Sequence, residues 1–296
     1  MRRRDAFRIL GGAAVVWSSE VPAQQSPGKV WRVAFLYSGS VISAADREYW
    51  EVFRTELRKL GCIEGKNLVL DRRDAEGYND RIPSLVDELL ALRPDLFVAV
   101  APPAVVAAHR ATSVIPIVMW GVGEPMALGL VESLAHPGGN VTGTSTMSDE
   151  SAGKSVEILQ EAFPPARRIA VLMSTNPSHP RLLGLVKAAA EVLDLTVIPI
   201  SAPTPNDLEQ AFTDMLEKNC EALLVLIDVP RPTIPSLAAK SKLPALHQQS
   251  AFADSGALLC YGASQKQIGR RTAYYVDRIL RGARPADLPV EEPVTF

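Results

Sequence analysis

Cysteine is scarce in this sequence. Cys62, Cys220 and Cys260 are the three cysteines of a 296-residue chain, and they lie far apart. Their spacing excludes a dense disulfide framework and any C-x-x-C redox or metal motif. Because buried cysteine behaves as a small apolar residue, we expect three free or buried thiols. A single Cys220–Cys260 disulfide is the alternative.

The common sequence motifs of enzyme sites are also absent. There is no G-x-S-x-G nucleophile elbow, no G-x-G-x-x-G after a strand and no Walker phosphate loop. The histidines lack metal-ligand spacing: they are His109, His136, His179 and His247. We therefore expect a protein that is not an enzyme and that needs no metal and no cofactor.

Charge of one sign is not concentrated anywhere in the chain. The sequence has 31 basic and 33 acidic residues, a net charge of −2, and no long run of either sign after residue 30. Nucleic-acid grooves and polybasic membrane patches require clustered Lys and Arg. We expect a small-molecule ligand or a protein partner, no nucleic acid, and a monomeric chain.

The first 25 residues differ in composition from the rest. Arg2, Arg3 and Arg4 precede a Gly/Ala-rich apolar run at 9–17, and the small residues at 21–23 resemble a cleavage site. The run is less than half of the roughly 20 residues that span a bilayer, so residues 1–25 are predicted to be a cleaved signal peptide and the protein to be periplasmic. The twin-arginine and general export routes both remain open, since Phe7 lies one place late for the former. An amphipathic helix of a cytoplasmic protein is the alternative.

From residue 30 onward, short apolar runs alternate with amphipathic segments of helical length, a pattern typical of βαβ units and a mainly parallel sheet. The run at 30–37 is apolar on both faces, as in a central parallel strand. Further strands are predicted at 68–71, 96–100, 115–120, 168–174, 221–227, 243–246 and 257–262, and helices at 45–60, 82–92, 104–111, 150–162, 236–240 and 267–280.

The pattern of the first half is repeated near residue 168. The segment 168–174 matches 32–38, with Arg, Ala, Leu and Ser in the same places, and 243–246 resembles 115–118. Chance similarity is the alternative, because buried parallel strands draw on the same few residues. A true repeat predicts two doubly wound sheets with a ligand cleft at the carboxyl ends of their strands.

Several longer phrases carry a family resemblance. They are the arginine cluster with GGAA in the leader, GCIEGKN at 61–67, AEGYNDR at 75–81, IPIV at 115–118, LGLVESLAHPGGNVTG at 128–143 and ADLPV at 286–290. With these phrases the chain resembles, over nearly its whole length, the ABC-transporter substrate-binding family often labelled tryptophan/tyrosine transport.

The resemblance implies the type I periplasmic-binding-protein fold, an α/β fold of two doubly wound parallel-sheet lobes joined by a multi-strand hinge that closes on a ligand. It implies lobe 1 at 30–143 plus 257–285, and lobe 2 at 144–256 plus 286–296. The implied function is an extracytoplasmic solute-binding protein of an ABC importer, with a permease in the inner membrane as partner. The ligand would be an aromatic amino acid or a related organic acid. An exported hydrolase-type enzyme and the ligand-binding component of a sensor receptor are the alternatives.

Two features depart from the family pattern. Members usually continue past the equivalent of Phe296 into a further strand and helix, so we expect a truncated sequence or a lost tail. The loop after the third strand usually carries glycines and a threonine, but here it reads Ala101, Pro102, Pro103. This change removes a hydroxyl group and stiffens the loop, so we expect a ligand other than the family label suggests.

Candidate ligand contacts of the first half follow its strands. Ser38, Gly39 and Ser40 are expected to offer hydroxyls and backbone N–H groups to a carboxylate or polar head group, with an ordinary turn as the alternative. Trp120 is expected to stack on a ring and Glu124 to receive an ammonium. Hinge packing with a solvated glutamate is the alternative. Pro102 of the stiffened loop is a further candidate ligand contact.

The second half supplies the opposite wall. Ser174, Thr175 and Asn176 are the repeat counterparts of the Ser38 loop. Asp228 places a carboxylate after an apolar strand and needs a partner, which is either a ligand amine or Arg231.

Three further residues complete the prediction. Gln248 and Tyr261 are weaker contact candidates, because an aromatic residue near a sheet usually belongs to the core. Gly143 is predicted to be a hinge residue that absorbs backbone change.

Overall fold

The computed structural model describes residues 29–40, 44–229 and 231–294. The predicted signal peptide at 1–25 lies outside these residues. Among the helices described, none is long and apolar enough to cross a membrane. Cys62, Cys220 and Cys260 are all free thiols, as expected.

Strands and helices alternate along the described chain. The strands are β1 (Trp31–Tyr37), β2 (Leu68–Asp74), β3 (Leu96–Val100), β4 (Ile117–Val122), β5 (Val141–Ser145), β6 (Arg168–Met173), β7 (Thr196–Ser201), β8 (Ala222–Val225), β9 (Ala245–His247) and β10 (Leu259–Cys260). The helices are α1 (Ala44–Lys59), α2 (Ile82–Ala91), α3 (Pro102–Ala111), α4 (Ser148–Ala162), α5 (His179–Val192), α6 (Leu208–Glu217), α7 (Ile234–Lys240) and α8 (Gln265–Leu280).

The strands form two parallel sheets with the same strand order. The first sheet runs β2-β1-β3-β4-β5 and the second β7-β6-β8-β9-β10. β6 therefore holds the place of β1, and β9 holds the place of β4, which are the strand pairs that the sequence repeat matches. The predicted α/β class with two doubly wound parallel sheets is confirmed.

Each sheet is buried on both faces. Along β1, Val33 and Phe35 face α1 and α8, whereas Ala34 and Leu36 face α2 and α3. The second sheet divides its buried residues between two apolar clusters in the same way. A strand covered on both sides has no polar face, which explains the continuous apolar runs in the sequence.

β2 is longer than its sequence pattern indicates. It was predicted to end at residue 71, but its pairing with β1 continues to Asp74. The last three residues are Arg72, Arg73 and Asp74, which have polar side chains but an ordinary backbone ladder. An edge strand tolerates such residues because one of its sides has no neighbouring strand.

Two segments differ from the predicted lobe boundaries. Residues 257–264 were assigned to lobe 1, but Leu259 and Cys260 pair with β9 as the fifth strand of the second sheet. Residues 286–296 were assigned to lobe 2, but the Glu291 N–H donates to the Gly143 carbonyl of β5 in the first sheet. Val290 is buried in the core of the first lobe, which holds this segment there.

The described chain crosses between the lobes at 146–147 and at 261–264. The first crossing connects β5 with α4, which packs on α5 and β8 of the second lobe. The second connects β10 with α8, which packs on α1, β4 and β5 of the first lobe. Gly143 lies within β5, beside Met119 of β4 and close to the first crossing. Its hinge role stays a prediction.

Candidate ligand-binding cleft

A cleft with an empty volume of about 750 Å³, open at its mouth, lies between the carboxyl ends of the two sheets. Residues of the first lobe, of the first crossing and of the second lobe line it. They are Phe35, Tyr37, Asp46, Tyr49, Trp50, Arg72, Val100, Ala101, Pro102, Trp120, Gly121, Gly123, Thr146, Ser148, Asn176, Ser178, Ile227, Asp228, Val229, Gln249 and Gln265. Open α/β sheets bind ligands at this edge, where the loops after parallel strands converge.

The wall on the first lobe is aromatic. The Phe35 and Trp50 rings meet edge to face with centroids 4.6 Å apart, and Phe35 meets Trp120 in the same way at 6.2 Å. Trp120 is only 4% exposed, and its indole N–H is directed at the Gln265 Oε1, 3.4 Å away. Such packing fixes the rings in place, so this wall is a preformed apolar surface.

Arg72 lies across this wall with its guanidinium held in one position. Its Nε and Nη2 groups donate to the two carboxylate oxygens of Asp74, at 2.7 and 2.9 Å. Its central carbon is 4.7 Å from the Trp50 ring centroid and 5.6 Å from that of Phe35. The bidentate pair with Asp74 and the two aromatic rings leave the Arg72 side chain little conformational freedom.

A carboxylate from each lobe reaches the cleft. Asp46 of α1 accepts a hydrogen bond of 2.8 Å from the Tyr37 hydroxyl. Burial, together with the Asp46 charge, holds the pKa of Tyr37 well above its ordinary value, so this hydroxyl stays protonated and donates. Asp228 lies 3.6 Å from the Arg231 Nη2, so the pairing considered from the sequence is present. Asn176 also approaches Asp228, at 3.4 Å.

Buried hydroxyls line the first crossing. Thr146 and Ser148 border the cleft from the crossing, and Ser178 does so from the second lobe. The Ser148 hydroxyl donates to Glu124 at 3.3 Å. Glu124 itself is buried beside the cleft, and burial raises the pKa of its carboxyl group. The Thr146 hydroxyl and the Gln249 Oε1 atom are buried without a partner among the described residues, so this end of the cleft has unused hydrogen-bonding capacity.

The start of α3 offers the cleft little for binding an anion. Pro102 and Pro103 carry no N–H, and the N–H of Ala104 donates to the Ser38 hydroxyl at 3.2 Å. Ala101 adopts φ 72° and ψ 156°, a backbone conformation that is essentially restricted to glycine. The loop that the prolines were expected to stiffen is therefore strained at Ala101 and lacks free amide donors.

Four of the predicted contact residues line the cleft: Pro102, Trp120, Asn176 and Asp228. They come from both lobes, as the repeat requires.

The other predicted contacts of the first lobe lie away from the lining. The Ser38 hydroxyl is buried and donates to the Val100 carbonyl at 3.2 Å. Gly39 is packed between the Tyr37 ring and Val229, and Ser40 is half-buried outside the lining.

In the second lobe, the side chains of the remaining predicted contacts interact with other residues of the protein. The Ser174 hydroxyl accepts from the N–H of Asn176. Gln248 accepts from the Ile227 N–H and donates to Ser155, both at 3.1 Å. Tyr261 packs against the apolar cluster under the second sheet.

Several lining residues have no counterpart among the sequence-based candidates. The most prominent are Asp46, Arg72, Thr146 and Ser178. Arg72 directly follows residue 71, at which β2 was predicted to end, so the signal that singles out Ser38 was also present there. Thr146 directly follows β5, a strand that was not predicted.

The two lobes also contact each other directly. Asn79 of the first lobe donates to the Thr175 hydroxyl at 2.8 Å, and the Tyr78 hydroxyl donates to Asn206 at 3.2 Å. Gly77 faces Pro205, leaving little space between the lobes. The AEGYNDR phrase at 75–81 thus contacts the second lobe.

Replacing Asn79 by alanine is expected to weaken ligand binding. Loss of one hydrogen bond that forms only when the lobes meet removes roughly 0.5–1.5 kcal/mol from the closed state, which weakens affinity about two- to tenfold. Isothermal titration calorimetry measures the change. Asp80→Ala is the matched control, because Asp80 is exposed beside Asn79 and does not bridge the described parts of the two lobes. Equal affinities for the Asn79→Ala variant and the unmodified protein would contradict the prediction.

Comparison with known proteins identifies relatives of this chain. Residues 44–295 match the model of the family described as ABC transporter substrate binding protein. A tyrosine-binding protein from Clostridioides difficile strain R20291 is 28% identical over 243 residues, covering 80% of this chain and 70% of the relative.

Two solved structures differ in how well they superpose. An ABC domain from Streptococcus pneumoniae, solved in complex with L-Trp, is 27% identical, covers 90% of each chain and has a TM-score of 0.79. The ligand-free, open structure of a substrate-binding protein with adhesive properties from Clostridium difficile is 26% identical and covers 89% of this chain and 90% of that one, but its TM-score is 0.58. At almost equal identity, this protein superposes better on the L-Trp complex than on the open structure.

The family match spans most of the chain, and the two lobes with their cleft have the type I periplasmic-binding-protein fold of these relatives. This protein belongs to the ABC transporter substrate-binding protein family.

Proposed function

We propose that this protein captures a small aromatic solute in the cleft between its lobes and delivers it to the permease of an ABC importer in the inner membrane. Members of the family and the compared relatives are solute-binding proteins, not enzymes, and such proteins act outside the cytoplasm. The location in the periplasm and the cleaved signal peptide at 1–25 are part of the proposal.

The feature that supports this proposal best is the composition of the cleft. The lining combines a preformed wall of Phe35, Trp50 and Trp120 with polar groups of both lobes, among them Asp46 and Asp228. Small-molecule sites combine a mostly apolar surface with a few polar groups that orient the ligand. An aromatic amino acid or a related aromatic acid satisfies both parts of this cleft. The named ligands of two relatives, tyrosine and L-Trp, belong to the same class.

Ligand capture and release would follow from movement of the lobes. The crossings at 146–147 and 261–264 are short, and the contact of Asn79 with Thr175 forms only when the lobes approach. A ligand that touches both walls stabilises the closed arrangement by its difference in affinity for the closed and open states. The permease would then recognise the closed arrangement.

The purified protein tests this proposal directly. A thermal-shift screen of amino acids, aromatic acids and sugars is followed by calorimetric titration of each hit and by chromatographic recovery of the ligand. We expect an aromatic amino acid or aromatic acid to raise the melting temperature and to be recovered unchanged. A ligand that is consumed at a steady rate, or a screen in which only sugars bind, would contradict the proposal.

A further inference from the structure

We infer that Arg72 binds the carboxylate of the ligand and so makes this cleft selective for aromatic acids over the matching amides and amines. The inference rests on the proposed function and extends it from a class of aromatic solute to the group that is recognised.

The guanidinium of Arg72 has donors to spare. Arginine has five N–H groups in a planar fork, and Asp74 occupies one on Nε and one on Nη2. Nη1 donates to no described residue, and Arg72 lines the cleft. Three N–H groups therefore remain, two on Nη1 and one on Nη2. One from each of these nitrogens lies on the edge that donates to a carboxylate in bidentate geometry.

Arg72 is also held ready for binding. Asp74 fixes the plane of the guanidinium, and the Trp50 ring packs against it, with its centroid 4.7 Å from the central guanidinium carbon. A side chain that is already ordered loses little rotamer entropy when a ligand binds. The carboxylate of a ligand would thus meet a donor pair that does not need to reorganise.

Other sites for an anion around the cleft are weaker. The start of α3 has two prolines and an N–H that is already used by Ser38. Arg231 donates to the Ala202 carbonyl at 2.7 Å and pairs with Asp228, and it is not among the lining residues. Arg72 is the one basic side chain in the described lining of the cleft.

The ammonium of an amino acid would pair with Asp46. Asp46 lines the same cleft as Arg72, and its carboxylate accepts from the Tyr37 hydroxyl at 2.8 Å. An α-amino acid carries its carboxylate and ammonium on one carbon. The pair of Arg72 and Asp46 fits that head group, with the aromatic wall beside it for the side chain.

The experiment measures the coupling between Arg72 and the ligand carboxylate. Calorimetric affinities of tyrosine and tryptophan are compared with those of tyrosinamide and tryptophanamide, which keep the ammonium and the ring but lack the negative charge. Each ligand is titrated into the unmodified protein and into Arg72→Gln, Arg72→Lys and Arg73→Gln. Arg73 is the matched control because it lies next to Arg72 on β2 but pairs with Glu88 at the surface, at 2.6 Å.

We expect Arg72→Gln to weaken binding of the acids by roughly tenfold to a hundredfold, the range for charged hydrogen bonds, and to change binding of the amides by less than about threefold. Arg72→Lys keeps the charge but loses the fork, and we expect an intermediate loss. Arg73→Gln is expected to leave all affinities unchanged.

An equal loss for acids and amides would show that Arg72 only supports the wall, and it would overturn this inference while the proposed function stands. Unmodified protein that binds neither these ligands nor any aromatic acid of the thermal-shift screen would contradict the proposed function, and the role of Arg72 with it.

Discussion

Replacing Gly143 by alanine is expected to lower the free energy of unfolding by about 3 kcal/mol and the melting temperature by roughly 10 °C. Gly143 has φ +135°, a conformation that L-residues rarely adopt. A Cβ atom at this position would overlap the carbonyl oxygen of Met119 and lie 2.8 Å from its nitrogen. Neither backbone atom can move without breaking the pairing of β4 with β5.

Thermal and urea unfolding of the variant measure this effect. Gly184→Ala is the matched control, because Gly184 lies in α5 and an added Cβ atom there would have no described atom within 4 Å. Alanine at that helical position is expected to stabilise the protein by up to about 1 kcal/mol. If Gly143→Ala unfolds at the same temperature as the unmodified protein, the close approach of β5 to Met119 does not hold.

Without the imidazole of His247, the protein is expected to lose about 3 kcal/mol less of its free energy of unfolding when the pH is lowered. His247 is fully buried at the end of β9, neither ring nitrogen has a partner among the described residues, and its ring lies 4.4 Å from that of Phe252. Burial lowers the pKa of this imidazole from 6.5 to about 4. Between these values the unfolded chain binds a proton that the folded protein does not, so stability is complete above pH 6.5 and falls as the pH drops toward 4.

His247→Leu isolates this contribution. Urea unfolding of both proteins at several pH values between about 4 and 7.5 gives the difference in the free energy of unfolding, in which the other titrating groups cancel. We expect the unmodified protein to lose about 2 kcal/mol more than the variant between pH 7 and pH 5. Parallel curves for the two proteins would show that His247 does not titrate in this way. Because the imidazole nitrogens have no partner in the described part of the chain, leucine is not expected to destabilise the protein at pH 7.

The fold could be predicted well because its signals are local. Buried parallel strands leave continuous apolar runs, and the match of 168–174 with 32–38 identifies the same central strand of two sheets. The predicted boundaries failed at 257–264 and 286–296 for one physical reason. Which sheet a short segment joins depends on free backbone groups at a distant strand edge, here those of β9 and β5.

The candidate site was harder to predict. Position at the end of a strand correctly selected Trp120, Asn176 and Asp228 as lining residues. It selected Ser38 and Gln248 equally well, yet their polar groups are used inside the protein. Local sequence cannot distinguish these two outcomes, because both require a polar residue at the same position.

The residue pattern by itself therefore determined the α/β class, the twofold repetition of the sheet and the edge at which a ligand is expected. These properties depend on periodicity and on strand ends, which are local. Only the tertiary structure decided that Arg72 lies on Trp50, that Asn79 meets Thr175, and that Met119 leaves no room for a side chain at Gly143. Such contacts join residues distant in the sequence, so their effects arise only when the two sheets are folded and the lobes face each other.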